Sequence, residues 1–516
     1  MSALCASVLS LAALPTTAAA TSTQAEIDAA VGAAADYVRA QQDPATGELS
    51  AFGGDWAVTA LAAAGVNAAD VHGPEPGDPS LQDYFLGEYT LPSWDEEPPG
   101  RTVADYSRSV LVSYAAGLDP ARLSASSNQP AQLAGRWNPV TGSFGEPSTY
   151  NTAFSILALR TIPLPGWALD PAVSFLRRNQ HDDGGWTYSA ALDGAAQAEP
   201  SEEDITGAAL AALCEAGVPA YDPAVAAALE YLRGRLISGT GGIEYLWGPP
   251  NADTNGWVVS GLTACGIDPQ SAQWTAGGAT PVDFLLSLQV QAGVGEGGFG
   301  YSDATAADLY ATQDALRAIA GGVFAVAPPP RQDPSLPRVR PVPAVAAGTP
   351  VPHLIAIGRG AGNVRICKVT APAGAPLPQL LAAAQTGSHP AGCVTSFEVS
   401  GGEVVSVNGV SPESEDEAWL LRLDRAAEAV AGEQPVGFGQ LVALRLGQDP
   451  GTRLGAPGPA GAPGAIGVPG RGLRGRQGRR GPQGRPGRNA TFRCKVRKRH
   501  GGAKRVGCVV KRGRAG

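Results

Sequence analysis

Charge is scarce in this 516-residue sequence, at 16% Asp, Glu, Lys and Arg, and aromatic residues supply 6%. No stretch of about eighteen or more apolar residues occurs, which excludes a membrane-spanning helix. No Cys-x-x-Cys pair occurs, which argues against structural zinc. Acidic residues are missing altogether from 451–516, where eighteen Lys/Arg stand without a counter-charge. The other 450 residues hold 20 Lys/Arg against 47 Asp/Glu, a net −27, so the overall −9 conceals an acidic body and a basic tail. The 44% apolar content is ample for a core and excludes wholesale disorder. The length is that of about three domains.

Residues 3–14 form a short apolar run, followed by Pro15-Thr16-Thr17 and the A-x-A type site Ala18-Ala19-Ala20. A signal peptide over 1–20 is expected, with a secreted or cell-surface product. The first basic residue is Arg39. A positively charged leader therefore implies a true start upstream of Met1. Without Cys5, six cysteines remain, in close sequential pairs: Cys214 with Cys265, Cys367 with Cys393, Cys494 with Cys508. Three local disulfides in an oxidising compartment are expected.

Residues 25–325 repeat a unit of two helices. An amphipathic helix leads into a Gly/aromatic loop, and an Ala-rich helix follows. The fourth unit is the clearest: Phe175 and Leu176, then Gln180-His181-Asp182-Asp183-Gly184-Gly185-Trp186, then Ala208-Ala209-Leu210-Ala211-Ala212-Leu213. Second helices are expected to open at Asp55, Asp105, Asn151, Asp204, Asn255 and about Thr312. Being apolar all round, they belong inside a closed ring of twelve helices; an open solenoid is the alternative.

The segment Gln180-x-x-x-Gly184-x-Trp186 resembles the repeat of the terpenoid cyclase and protein prenyltransferase toroids, which implies an α6/α6 barrel over 25–325. A proline-rich linker follows at 326–352, expected as a semi-rigid spacer. Residues 353–447 change to strand-like period. Their Asn408-Gly409-Val410, Trp419 and closing strand are similar to the small β-grasp-like domain that ends transcobalamin and intrinsic factor. A toroid followed by such a domain resembles the cobalamin carriers. Phe438-Gly439-Gln440 departs from the Gly-Asp usual there before the last strand. The fold class expected is mainly α: a toroid of six helical hairpins with a small α+β domain.

Glycine recurs every third residue at 455–470 and again, after one slip of phase, at 472–487. This is the period of a collagen-like trimer, with a single-stranded Gly/Pro linker as the alternative. Residues 490–512 read as a disulfide hairpin, Phe492, Cys494 and Val496 against Val506, Cys508 and Val510, with Arg493, Lys495, Arg497 and Lys511 on a basic face. An anionic polymer or acidic protein surface is the expected partner, without sequence-specific nucleic-acid reading.

No catalytic constellation emerges. Glu202-Glu203-Asp204 opens a helix and reads as a dipole partner rather than a cyclase acid. Prenyl transfer lacks its zinc ligands, and no nucleophile elbow or phosphate loop occurs. Binding remains. The residues opening the inner helices (Asp55, Asp105, Asn151, Asp204, Thr206, Asn255, Thr312, Gln313) would ring one mouth, each being also a candidate N-cap. Resemblance to the carriers implies that this ring reads the amides of cobalamin or a related corrinoid, and Leu309-Tyr310-Ala311-Thr312-Gln313 looks like the stretch that family uses in its last repeat. Trp186 and Tyr301 are candidate lining residues. His181 is the loop histidine that could reach a cobalt. The expectation is a non-catalytic carrier clamping its ligand between toroid and β domain. A structural or adhesive platform with a trimerising tail, or a terpenoid-cyclase-clan enzyme, are the other readings.

Overall fold

The computed structural model describes residues 21–49, 54–94, 100–190, 199–359 and 363–450, with the backbone of strands at 491–498 and 504–511. The leader at 1–20 and the collagen-like segment at 455–487 lie outside the described residues. The chain forms two compact units, residues 1–465 and 466–516.

Outer helices α1 (Gln24–Arg39), α3 (Leu81–Tyr89), α5 (Gln129–Ala134), α7 (Asp170–Arg178), α9 (Pro223–Arg233) and α11 (Pro281–Ser287) alternate along the chain with inner ones. The inner helices are α2 (Gly54–Ala63), α4 (Val103–Ala115), α6 (Thr149–Leu159), α8 (Glu203–Glu215), α10 (Ala252–Ala264) and α12 (Leu309–Ile319). Burial separates the two rings. Eleven of the thirteen residues of α8 are buried, against five of the sixteen of α1. A helix packed around its whole circumference has to be the inner one. Each inner helix packs on the next, α12 packs on α2, and α1 lies across both. The ring is closed.

The Gly/aromatic loops are its staples. Gln180 Nε2 donates to Gly184 O at 2.8 Å in its own loop and to Ala224 O of α9 at 2.7 Å. Gln289 repeats the pattern with Gly297 O and Ala30 O, both at 2.9 Å, and so ties the sixth repeat back to the first. Gly184 sits at φ +92°, where a Cβ would come within 2.4 Å of Ala227 O, so only glycine fits. Inner helices approach just as closely: a Cβ on Gly261 of α10 would lie 2.6 Å from Gly207 O of α8. Cys214 and Cys265 join these same two helices, with Cα atoms 5.1 Å apart.

The proline-rich segment, expected as a semi-rigid spacer, is held along the toroid. Asn67 Nδ2 donates to Pro329 O at 2.8 Å, Arg331 pairs with Asp70 at 2.8 Å, and the Arg340 N–H donates to Gly117 O at 2.7 Å. Its backbone polar groups thus find partners on the toroid, beside the ends of α2 and α4. It is a strap.

The β lobe is a mixed sheet of β1 (Pro350–Gly358), β2 (Val364–Pro372), β4 (Ser388–His389), β7 (Glu417–Leu423), β8 (Ala429–Val430) and β10 (Val442–Gln448), in the order β4-β2-β1-β10-β7-β8. Only β1 and β10 run parallel. Short pairs of β3 (Ala375–Pro376) with β9 (Pro435–Val436), and of β5 (Phe397–Ser400) with β6 (Glu403–Val407), flank it. Alternation along the strands serves two cores. Ile355, Ile357, Cys367 and Val369 pack with helix α13 (Leu377–Gly387), while Leu354, Ala356, Val364 and Ile366 join the core of the toroid. Cys367 and Cys393 are bonded, with Cα atoms 6.2 Å apart.

In the second unit, β11 (Thr491–Lys498) and β12 (Lys504–Lys511) form an antiparallel hairpin with Cys494 directly opposite Cys508. The expected disulfide between them falls on side chains outside the described residues.

Candidate functional site

All six inner helices begin at the same mouth of the toroid, so their first turns set what it displays. Four caps lie three or four residues before the expected openings: Thr102 for α4, Ser148 for α6, Asn251 for α10 and Asp308 for α12; α8 starts after Glu202, two residues before Asp204, and α2 starts at Gly54, one before Asp55. The shift changes what the predicted residues do.

Three of them sit at the fourth helical position and are spent on their own backbone. Thr206 Oγ1 accepts the Trp186 N–H at 3.0 Å and donates to Glu202 O at 2.7 Å. Thr312 Oγ1 accepts the Phe299 N–H at 2.8 Å and donates to Asp308 O at 2.6 Å. Asn255 does the same work with the Ile243 N–H and Asn251 O, both at 2.8 Å. Trp186 is fully buried, and its indole N–H donates to Leu176 O at 2.8 Å. These four, expected at the ligand, instead pin each loop to the helix that follows it. His181 is likewise engaged, with Nδ1 3.0 Å from Ser201 Oγ.

The remaining predicted residues stay at the mouth. Arg108 bridges Asp55 (2.8 Å) and Asp105 (3.0 Å), joining α2 to α4, and Asp105 also closes a capping box with Thr102. Burial pushes the Asp55 carboxyl up, against the pull of Arg108. Asn151 is half-buried in the first turn of α6. Burial drives Asp204 up to about 6. Gln313 is fully buried, and among the described residues neither amide atom has a hydrogen-bond partner. Tyr301 is 43% exposed, and its carbonyl accepts the first N–H of α10 at 2.8 Å.

The tertiary structure adds Asp253, Asp314 and Arg317, which the sequence reading passed over. Tyr310, Gln313, Asp314 and Arg317 share one face of α12, and that face looks into the bore. Arg317 is fully buried, with its guanidinium carbon 4.2 Å from the Phe324 ring centroid and 4.6 Å from that of Trp257. Its Nη1 holds Asp314 at 2.5 Å. Asp253, in the first turn of α10, faces this pair with one carboxylate oxygen unpartnered. Burial, and then the charge of Asp314, push Asp253 up to about 8, leaving it protonated at neutral pH. Among the described residues neither Asp204 nor Asp253 has an ion pair, since Arg108 and Arg317 serve other carboxylates.

Aromatic rings connect mouth to bore. Tyr188, half exposed, stacks on Tyr150 at 5.1 Å; Tyr150 meets Phe154 at 4.4 Å, and Phe154 meets Trp257 at 5.1 Å. Behind them the chain leaving α12 turns back. Phe324 enters the bore, stacked on Trp257 at 4.7 Å and edge-on to Trp56 at 5.0 Å. At the rim Tyr310 is 37% exposed, and Trp247, two residues past Tyr245, is 67% exposed. Burial and the Asp253 charge push the Tyr301 phenol up to about 12.

The β lobe does not cover this mouth. It docks on α5 and on the segments that follow α4 and α6: Arg122 pairs with Asp424 at 2.8 Å, Lys368 donates to Gln132 at 3.0 Å, and Arg422 donates to Pro163 O. Trp167 lies against Gly358, where a Cβ would come within 2.6 Å of the ring. Leu354, Ala356, Val364, Ile366 and Leu441 fill the contact. The expected clamp between the lobes is therefore corrected. Their interface is an apolar seam, because the sheet has a second hydrophobic face to bury.

Among the described residues no group of three or more His, Cys, Asp or Glu is placed to hold a metal ion, and no helix is long and apolar enough to cross a membrane. No family model matches the chain, and no curated protein does. Solved structures similar to it include haptocorrin in complex with Cbi, at 11% identity and TM-score 0.32 over 83% of this chain and 98% of that one. A type II terpene cyclase from Scytonema aligns at 15% identity and TM-score 0.39 over 58% of this chain and 98% of that one. A protein from Actinoplanes aligns at 16% identity and TM-score 0.35 over 57% of this chain and 99% of that one. Likeness this distant carries no functional argument.

Proposed function

We propose that the chain is an extracellular, non-catalytic binding protein that takes a ring-bearing small molecule rich in N–H donors at the toroid mouth. The observation that carries this reading is the pair Asp204 and Asp253, two substantially buried carboxyls without ion pairs, set beside the exposed rings of Tyr301 and Tyr310. The Asp253 oxygen left without a partner is costly, and Asp204, which accepts one backbone N–H from Ile205 at 2.8 Å, has acceptor capacity to spare, so a ligand supplying N–H groups against aromatic faces satisfies both. The amide side chains of a corrinoid have this chemistry, and a corrinoid is the ligand that the sequence resemblance implies. Two bonded cysteine pairs fit an oxidising compartment. A homotrimer through 455–487 belongs to the same proposal, and light scattering of the full chain tests it.

Titration of the purified chain with cobalamin and cobinamide, followed by absorbance and calorimetry, tests the ligand. Saturable binding that Asp204→Asn and Tyr301→Ala weaken, with the fold intact, supports the reading. Absence of binding to either corrinoid removes it.

A second reading, acid-catalysed cyclisation, has one observation in its favour: Asp253, protonated at neutral pH, faces an aromatic bore. Turnover of a polyprenyl substrate abolished by Asp253→Asn would establish it in place of the first.

A further inference from the structure

The hairpin of the second unit carries two faces that its register separates. Directly opposed residues of an antiparallel pair share a face, and side chains alternate along each strand. Thr491↔Lys511, Arg493↔Val509, Lys495↔Gly507 and Arg497↔Arg505 therefore fall on one side. Phe492↔Val510, Cys494↔Cys508, Val496↔Val506 and Lys498↔Lys504 fall on the other. The first face holds five cations, Arg493, Lys495, Arg497, Arg505 and Lys511. The second is apolar apart from the Lys498–Lys504 pair at the turn.

The cationic face is built at a cost. Arg497 lies directly across from Arg505, and like charges so placed destabilise a hairpin. No Asp or Glu occurs anywhere in 451–516, so the unit has no counter-ion of its own. A two-stranded ribbon is marginal by itself, which makes the repulsion harder to carry. An external polyanion relieves it. Along β11 the cations recur at every second residue, about 6.7 Å apart, which suits a linear polymer better than a single anion. Three of the five are arginines, whose planar fork grips phosphate oxygens in pairs.

We propose that this face binds a linear phosphate polymer, and that Arg493, Lys495, Arg497, Arg505 and Lys511 form the contact row while the Phe492–Val510 face stays out of it. The claim concerns which face binds rather than net charge alone, and it is independent of any ligand at the toroid mouth.

The test uses the full chain, long-chain inorganic polyphosphate as probe, and two matched double variants, Arg497→Gln with Arg505→Gln and Lys498→Gln with Lys504→Gln. Both remove two charges from neighbouring cross-strand pairs, but on opposite faces. Affinity is measured across a salt series. The arginine pair is expected to weaken binding and to reduce the magnitude of the salt slope by about 1.4, at about 0.7 per lost contact. The lysine pair is expected to leave the slope unchanged. Non-reducing peptide mapping of Cys494 and Cys508 in both variants checks that the hairpin survives. Equal losses from the two variants would overturn the facial assignment. Failure to bind polyphosphate, or tighter binding of heparin or of anionic vesicles, would overturn the phosphate assignment.

Discussion

At Thr312, which is fully buried, one hydroxyl both accepts the Phe299 N–H and donates to the Asp308 carbonyl. Thr312→Ala should cost about 1–3 kcal/mol, because it leaves a buried N–H unpartnered, and Thr312→Ser should recover most of that. Urea denaturation of the two variants checks the order. Asp253 behaves differently. From about pH 4, where an ordinary Asp ionises, to about pH 8, the folded chain keeps a proton that the unfolded chain has lost. The folded state then binds more protons, so this group makes stability fall as pH rises through the window and level off above it. Urea midpoints between pH 5 and pH 9 should show that decline in the parent and a flatter profile in Asp253→Asn. A steeper decline in the variant would contradict the buried-acid assignment.

Among the elements, α8 and α10 are the most tightly joined pair of the inner ring. Glycines at 207 and 261 remove the side chains that would hold the two helices apart, and the Cys214–Cys265 bond crosses between them. The bond closes a loop with a sequence separation of 51, which by chain entropy is worth about 4 kcal/mol. Replacing both cysteines by Ser should lower the thermal midpoint by several degrees without opening the ring, since the Gln289 staple and the contact of α12 with α2 are untouched. Gly261→Ala should be about as damaging as a core overpacking change, in the range of about 1–3 kcal/mol, because its new methyl meets backbone rather than a movable side chain.

For the whole first unit, the decisive contact is between the lobes. The β1–β2 face buries Leu354, Val364 and Ile366 against the toroid, so the two lobes should unfold in one calorimetric transition. Ile366→Lys places a charge in that seam and should split the transition in two, with the disulfide-bonded β lobe melting separately. A single transition in the variant, shifted but undivided, would show that the strap along Pro329, Arg331 and Arg340 suffices to couple the lobes. The acidic mouth lies away from this seam, so the binding proposed at Asp204 and Tyr301 should be unaffected by the same substitution.

Periodicity determined the six helical hairpins, and the contact of α12 with α2 decided that they close into a ring. Apolar residues on every side of the second helices, glycines in the loops with a glutamine in the first, fourth and sixth, and six units in succession pointed to a closed toroid, with an open solenoid as the alternative. The strands of the β lobe and the pairing of Cys214 with Cys265 and Cys367 with Cys393 were legible for the same reason, since they depend on local pattern and short separation. The mouth was legible only in part. Asp55, Asp105 and Asp204 announce themselves at helix starts, but Thr206, Asn255 and Thr312 look identical in sequence whether they face a ligand or a loop backbone, and a shift of three or four residues in the cap decides which. The meeting of Asp253 with Asp314 and Arg317 joins helices more than fifty residues apart, and no spacing rule records it. The docking of the β lobe on α5 was equally hidden, because an alternating strand shows that it has two apolar faces without showing what the second one covers.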